Sequence, residues 1–205
     1  WSLKRQLSSQ SNPLIDKNLE KIMAKFANVL EVEKIRLNIF ETDPINGLAA
    51  PDGRIFITRG FYNKYQNGEI TVEEISSVVA HELGHVALGH IRRRMIDFSG
   101  QNAVRVALGT LLSRLIPGLG GFIAGIIGNL LMAKLSRRDE YEADEYAAAL
   151  MIKSGLGIEP QISMFKKLDQ ISNLQGSVPA WLMSHPPTKE RINSIKKTHA
   201  KIYGG

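Results

Sequence analysis

Two histidines four residues apart, with an acid beside the first, are the residues in this chain best suited to chemistry. They are His81, Glu82 and His85, in the stretch VVAHELGHVALGH at 78–90. On a helix, residues four apart share a face, so both imidazoles can turn to one metal ion. Glu82, about 100° further round the helix, can reach a water on that ion and act as its base. Such an ion needs three protein donors and an open fourth position to be catalytic. A third donor must therefore lie elsewhere. The competing reading is a helix that merely carries exposed histidines, and the third donor decides between the two.

The chain has no cysteine, so disulfides and thiolate sites are excluded and any metal must be held by histidine and carboxylate. His90 is a poor third donor. The pattern HExxHxxGxxH would require Gly at 88 and His at 91, but the chain has Leu88 and Ile91, with Gly89 and His90 each displaced by one. Five residues beyond His85, His90 turns away from the ion and reads as a polar or packing residue. The other source is a glutamate from a later helix, which should also bring a carboxylate to orient a histidine ligand. Of the acids in RDEYEADE at 138–145, only Glu140 is followed four residues on by another acid, Asp144. Glu140 is therefore expected as the third donor, with Asp144 as the carboxylate behind it. Taken without HELGH, the same run is an acidic, solvated helix face.

The elements that must position these residues are legible in outline. Residues 18–30 carry Leu19, Ile22, Met23, Phe26 and Leu30 at helical spacing. Residues 34–41 alternate partly as a strand, 43–47 form a turn, and Asp52-Gly53 reads as a hairpin turn into a strand at 54–58. Thr71 and Glu74 have capping-box spacing and open the helix that carries HELGH. The basic triplet at 92–94 suits the end of that helix as a solvated cluster rather than a nucleic-acid patch. Further helices are expected at 136–154, stopped by Gly155, at 160–173, and at 188–202. A loop at 173–187 carries Trp181 and His185. The fold class expected is α+β, mainly helical.

A length of 205 residues suits a single domain with a sizeable core, 1–205, in which 1–12 is a loose arm. The chain begins at Trp1 rather than Met and is expected to be a processed or trimmed product. A net charge of +6 favours acidic partners, anionic lipid or nucleic acid, without choosing between them. Residues 103–133 are unusually apolar. From 115 to 133, 19 residues carry no charge, which approaches spanning length, but Pro117 and five glycines interrupt the run. A core or hairpin segment is the first reading of it. The others are a surface element that dips into a membrane or covers a substrate groove, and a true span.

HELGH followed by SRRDEYEAD at 136–144 resembles the gluzincin peptidases of metallopeptidase family forty-eight, a group with HtpX-type, CAAX prenyl protease-type and soluble periplasmic branches. NGLAAPDG at 46–53 with IFITRG at 55–60 is similar to the family's segment before the zinc helix. SHPPTKERI at 184–192 is similar to its C-terminal His-Pro motif, so the resemblance covers roughly residues 14–200. It implies a zincin-type fold with a small antiparallel sheet beside the HExxH helix. It implies a zinc-dependent endopeptidase with one Zn2+ per chain on His81, His85 and Glu140, and Glu82 as general base. It also implies that the strand with Arg54, Ile55, Phe56 and Ile57 lies beside the cleft, where an extended substrate could add. His185 and Arg191 would sit near the zinc as catalytic residues. Either could stabilise the oxyanion, or His185 could bind the zinc and block it at rest.

The integral-membrane branches carry several clear spans that this sequence lacks, so the soluble, extracytoplasmic, quality-control branch is expected, with 103–133 matching its apolar insert. The expected activity is hydrolysis of unfolded or misassembled proteins, membrane-associated ones among them, in a bacterial periplasm or at a membrane surface. The expected partners are a polypeptide and, through 103–133, a membrane surface; nucleic acid is not expected. Two other classes compete: a zinc-stabilised, chaperone-like binding module, and a membrane-interaction protein using the apolar insert and basic surface. A pure binder has no need of a base at Glu82.

Overall fold

The computed structural model of the chain describes residues 11–50, 52–90, 137–175, 179–185 and 189–203. The apolar insert, the basic triplet and most of the expected arm lie outside them. The first helix, α1 (Lys17–Val29), starts where the Asp16 carboxylate accepts the N–H groups of Asn18 and Leu19. It buries Leu19, Ile22, Met23, Phe26 and Ala27, the apolar stripe of its sequence.

Four strands form one sheet: β1 (Ser11–Pro13), β2 (Leu37–Phe40), β3 (Gly47–Ala49) and β4 (Ile55–Thr58), in the order β1-β2-β4-β3. β3 and β4 make the expected hairpin. The sheet is mixed, however, not antiparallel throughout, because β4 runs parallel to β2. The chain reverses after β2 and again at the hairpin, so β4 returns in the direction of β2 and inserts between β2 and β3. All four β4 residues are buried, which suits a central strand and not an edge. Ser11 and Asn12 pair with Phe40 and Ile39, so the end of the expected loose arm is a strand.

From β4 the chain enters α2 (Arg59–Gln66), capped by the Thr58 hydroxyl. Periodicity does not announce this helix, since Phe61 is its one buried residue. α3 (Val72–Ala87) opens with the expected capping box: Thr71 Oγ1 accepts the Glu74 N–H at 3.2 Å, and Glu74 Oε2 accepts the Thr71 N–H at 2.7 Å. From Glu74 to His85 every residue of α3 is buried, so this is the central helix of the molecule. It packs on α1, β3, α4 (Arg137–Lys153) and α5 (Glu159–Gln175). A short helix, α6 (Ala180–Ser184), lies within the stretch read as loop; five residues are too few for a periodic signal. α7 (Lys189–Tyr203) packs on α4.

Small residues let α3 and α4 approach closely. A Cβ on Gly84 would stand 3.0 Å from Ala143 Cα and 3.1 Å from its carbonyl oxygen. Only a hydrogen at 84 lets α4 come near enough for its acids to reach the histidines of α3.

Glu74 also ties α3 to α5. It accepts hydrogen bonds from Ser163 Oγ at 2.6 Å and Lys167 Nζ at 2.7 Å. Burial alone would raise its pKa, but these partners and the Thr71 N–H hold it below the ordinary value. Glu74→Ala is expected to cost about 1–3 kcal/mol in urea unfolding. Because the folded pKa is depressed, the part lost in Glu74→Gln should be full above the unfolded value of 4.5 and shrink as pH falls from there through the folded value. Urea midpoints of wild type and Glu74→Gln, compared from about pH 7 to about pH 3, check the sign.

Candidate metal centre

α3 turns His81 and His85 toward α4, and α4 answers with Glu140. His85 Nε2 lies 3.0 Å from His81 Nε2, and the two Glu140 oxygens lie 3.5 Å from one or other of these nitrogens. Donors tetrahedrally arranged on an ion at zinc-like bond lengths stand about 3.4 Å apart. The three donors therefore fit one face of such a shell. Two imidazoles and one carboxylate suit zinc and its first-row neighbours and do not suit calcium.

The charges are arranged with care. Burial alone would lower the His81 pKa, but Asp144 and Glu140 outweigh it and raise the value to about 9. Burial, with His81 and His185 alongside, holds His85 far below its usual value and keeps it neutral. Burial would raise Glu140, yet His185 and His81 hold it well below the usual carboxylate range. His85 and Glu140 are thus held in the forms that bind a cation.

Asp144 stands behind His81, as a carboxylate that orients a histidine. Its Oδ1 accepts the His81 Nδ1–H at 2.9 Å. The link to Glu140 runs through Arg191, which donates to Asp144 at 2.6 and 2.8 Å and pairs with Glu140 Oε2 at 3.0 Å. Arg191 is 2% exposed and turned into these two carboxylates. Through these two carboxylates it braces the donors.

His185 is brought into the cluster. Its Nδ1 lies 2.9 Å from Glu140 Oε1 and 3.3 Å from His81 Nε2, and its Nε2 lies 3.5 Å from Glu82 Oε1. The four donors of His81, His85, Glu140 and His185 lie within 4.8 Å of one another. The Trp181 indole N–H donates to Glu82 Oε1 at 3.1 Å, and its ring stacks on His185 at 5.1 Å. The sequence reading misses Trp181. The only signal for it is a large aromatic in a segment otherwise read as loop. His90 is fully buried behind His85, its Nδ1 2.9 Å from the His85 Nδ1, outside the donor shell.

The strand expected to receive substrate is placed otherwise. β4 pairs on both sides, with Ile55, Phe56 and Ile57 at 0% exposure, and Arg54 is paired with Asp52. None of the four offers an open edge. Among the described residues the strand edge nearest α3 belongs to β3.

The sequence profile of Peptidase family M48 matches residues 10–199. Similar proteins include Metalloprotease LoiP of Escherichia coli, 28% identical over 181 residues, covering 88% of this chain and 69% of that protein. Metalloprotease YcaL of the same organism is 28% identical over 195 residues, covering 93% and 72%. The Beta-barrel assembly-enhancing protease of Yersinia pestis is 26% identical over 166 residues, covering 77% of this chain and 33% of that protein.

Arg191→Met keeps the length of the side chain and removes its charge, leaving Asp144 and Glu140 as buried anions short of a partner. It is expected to cost about 3–5 kcal/mol in urea unfolding of the metal-free protein. A loss below about 1 kcal/mol, the range of a surface pair, would mean that the bracing described here is unimportant.

Proposed function

The chain belongs to Peptidase family M48 and is a metalloendopeptidase, and we propose that it holds one zinc ion on His81, His85 and Glu140 and cuts unfolded or misassembled proteins with Glu82 as general base. The observation that carries this reading is the set of three donors 3.0–3.5 Å apart with Glu82 next in sequence to one of them. When bound, zinc would polarise the scissile carbonyl and acidify the attacking water. Glu82 takes the proton of that water and passes it to the leaving amine. The Trp181 N–H holds Glu82 Oε1, which leaves Oε2 to carry the proton. Asp144 and Arg191 keep His81 and Glu140 in place.

An extended substrate is proposed to add to β3. A Cβ on Gly47 would lie 3.8 Å from Glu82 Cγ and 3.9 Å from Trp181 Cδ1, so this strand runs beside the base. At rest, His185 takes the fourth corner and the site is closed. Its Nδ1 lies among the donors, and His81, Glu82, His85 and Glu140 are each at most 3% exposed. α6 must then move before a peptide can enter. The name of the Yersinia relative ties it to β-barrel assembly, which supports misassembled envelope proteins as the substrate class here. A periplasmic or membrane-surface location, membrane contact through 103–133, and one catalytic domain over 1–205 belong to the same proposal. No helix of the described residues is long and apolar enough to cross a membrane.

Glu82→Gln should lower cleavage of an unfolded protein by about 10²–10⁴-fold while leaving zinc affinity near wild type. Equal cleavage by both would remove Glu82 from the mechanism, and absence of cleavage by either would favour the chaperone-like binding module. His185→Ala should raise cleavage if the histidine blocks the fourth corner; a fall in kcat would assign it to the oxyanion instead.

A further inference from the structure

We propose that His90 is a positioning residue for the metal: its hydrogen bond fixes the tautomer and ring plane of His85, and Glu142 in turn fixes His90. The proposal rests on the reading of His81, His85 and Glu140 as donors.

The two ligand histidines are supported differently. Behind His81 stands a carboxylate, Asp144, at 2.9 Å. Behind His85 stands another imidazole, with His85 Nδ1 and His90 Nδ1 2.9 Å apart. Beyond it, His90 Nε2 lies 3.0 Å from Glu142 Oε2 and 3.7 Å from Asp139 Oδ1. The protons along this row can be placed in order. His85 Nε2 must be bare to bind a cation, so a neutral His85 carries its proton on Nδ1. That proton is donated to His90 Nδ1, which must therefore be bare. His90 then carries its own proton on Nε2 and donates it to Glu142. A carboxylate near the surface, its side chain 33% exposed, thus dictates the tautomer of two buried rings.

The backbone places His90 for this task. α3 ends at Ala87 with Leu88 as its C-cap, and Gly89 has φ +69, the left-handed conformation that glycine adopts without strain. This turn brings the chain back under the helix, so a histidine five residues from His85 faces it from behind. A neutral acceptor also pushes less electron density into His85 than a carboxylate would, leaving a bound cation the stronger Lewis acid on that side.

The same three side chains, His90, Asp139 and Glu142, lie close enough to hold an ion of their own. One contact argues against it: Glu142 Oε1 accepts from Arg138 Nε at 2.8 Å, so that carboxylate already has a positive partner.

The test uses the whole chain with zinc alone. Affinity is measured by competition with a chromophoric chelator, and ring nitrogens are observed by 15N NMR of the zinc-loaded wild type. His90→Leu, which fills space but accepts no hydrogen bond, should weaken zinc binding about 10–100-fold. His90→Asn, whose Oδ1 can stand near the Nδ1 position, should recover most of it. Glu142→Gln, on a side chain one-third exposed, should weaken it by a smaller factor. The spectrum should show His90 protonated on Nε2 and bare on Nδ1. Equal affinity in wild type, His90→Leu and His90→Asn would overturn the proposal, as would a His90 proton on Nδ1. Two zinc ions per chain, one lost in His90→Leu, would make His90 a ligand and overturn it too. Should His90→Leu fail to fold, the wild-type spectrum and Glu142→Gln still decide. His85→Ala separates the premise from the proposal. If wild type binds no zinc, or His85→Ala binds it normally, both fall. If zinc is lost with His85 but indifferent to His90, only the proposal falls.

Discussion

At Gly84 the backbones of α3 and α4 come so near that a methyl group would meet the Ala143 main chain at 3.0 Å. Packed helices usually keep their axes about 8–10 Å apart, a distance set by the side chains between them. Here a hydrogen at Gly84 faces the main chain of Ala143, with Tyr146 Cβ beside it. Beside this contact, within three residues along each helix, that closeness becomes chemistry. His81 and His85 lie on one wall, Glu140 and Asp144 on the other, and no long side chain is needed to bridge them. The HELGH motif therefore supplies a spacer as well as donors and a base.

Bringing two carboxylates into a buried crossing is costly unless they are paired. α7 provides the pairing. Arg191 reaches both acids from one side, while His81 and His185 reach Glu140 from the other. The outcome is a donor set oriented before any ion arrives, with each group held by a second group that has its own partner. Such support limits the ordering a metal must impose when it binds. The same logic closes the site. Trp181 and His185 occupy the space above Glu82 and Glu140; Trp181 lies in a five-residue helix and His185 caps its C-terminus, and the helix's hold includes the hydrogen bond from the Trp181 backbone N–H to the Ile45 carbonyl. A short element is easier to displace than α3 or α4, and this makes α6 the natural moving part.

Much of the centre was legible in the sequence because it obeys a local rule. His81 and His85 are four apart, and so are Glu140 and Asp144, so each pair shares a face whatever the tertiary fold. The capping box at Thr71 and Glu74 and the hairpin at Asp52-Gly53 are local as well, and both are present. What was not legible depends on contacts between distant segments. Nothing in the spacing tells which side of Asp144 meets His81, or that Arg191 braces two acids. The strand at Ile55–Thr58 is readable as a strand, but its insertion between β2 and β3 is a matter of topology. His90 illustrates both halves. Its spacing correctly sets it outside the donor shell, yet the left-handed turn at Gly89 that returns it to His85 has no periodic signature.

Two helices packed closely at Gly84 are proposed to hold one metal between them. Zinc titration of Gly84→Ala beside wild type addresses it most directly, with folding checked by circular dichroism. The added methyl should force α4 outward by a few tenths of an ångström, cost about 1–3 kcal/mol of stability, and weaken zinc binding while leaving every donor in the sequence. A folded Gly84→Ala protein that binds zinc as tightly as wild type would contradict the claim.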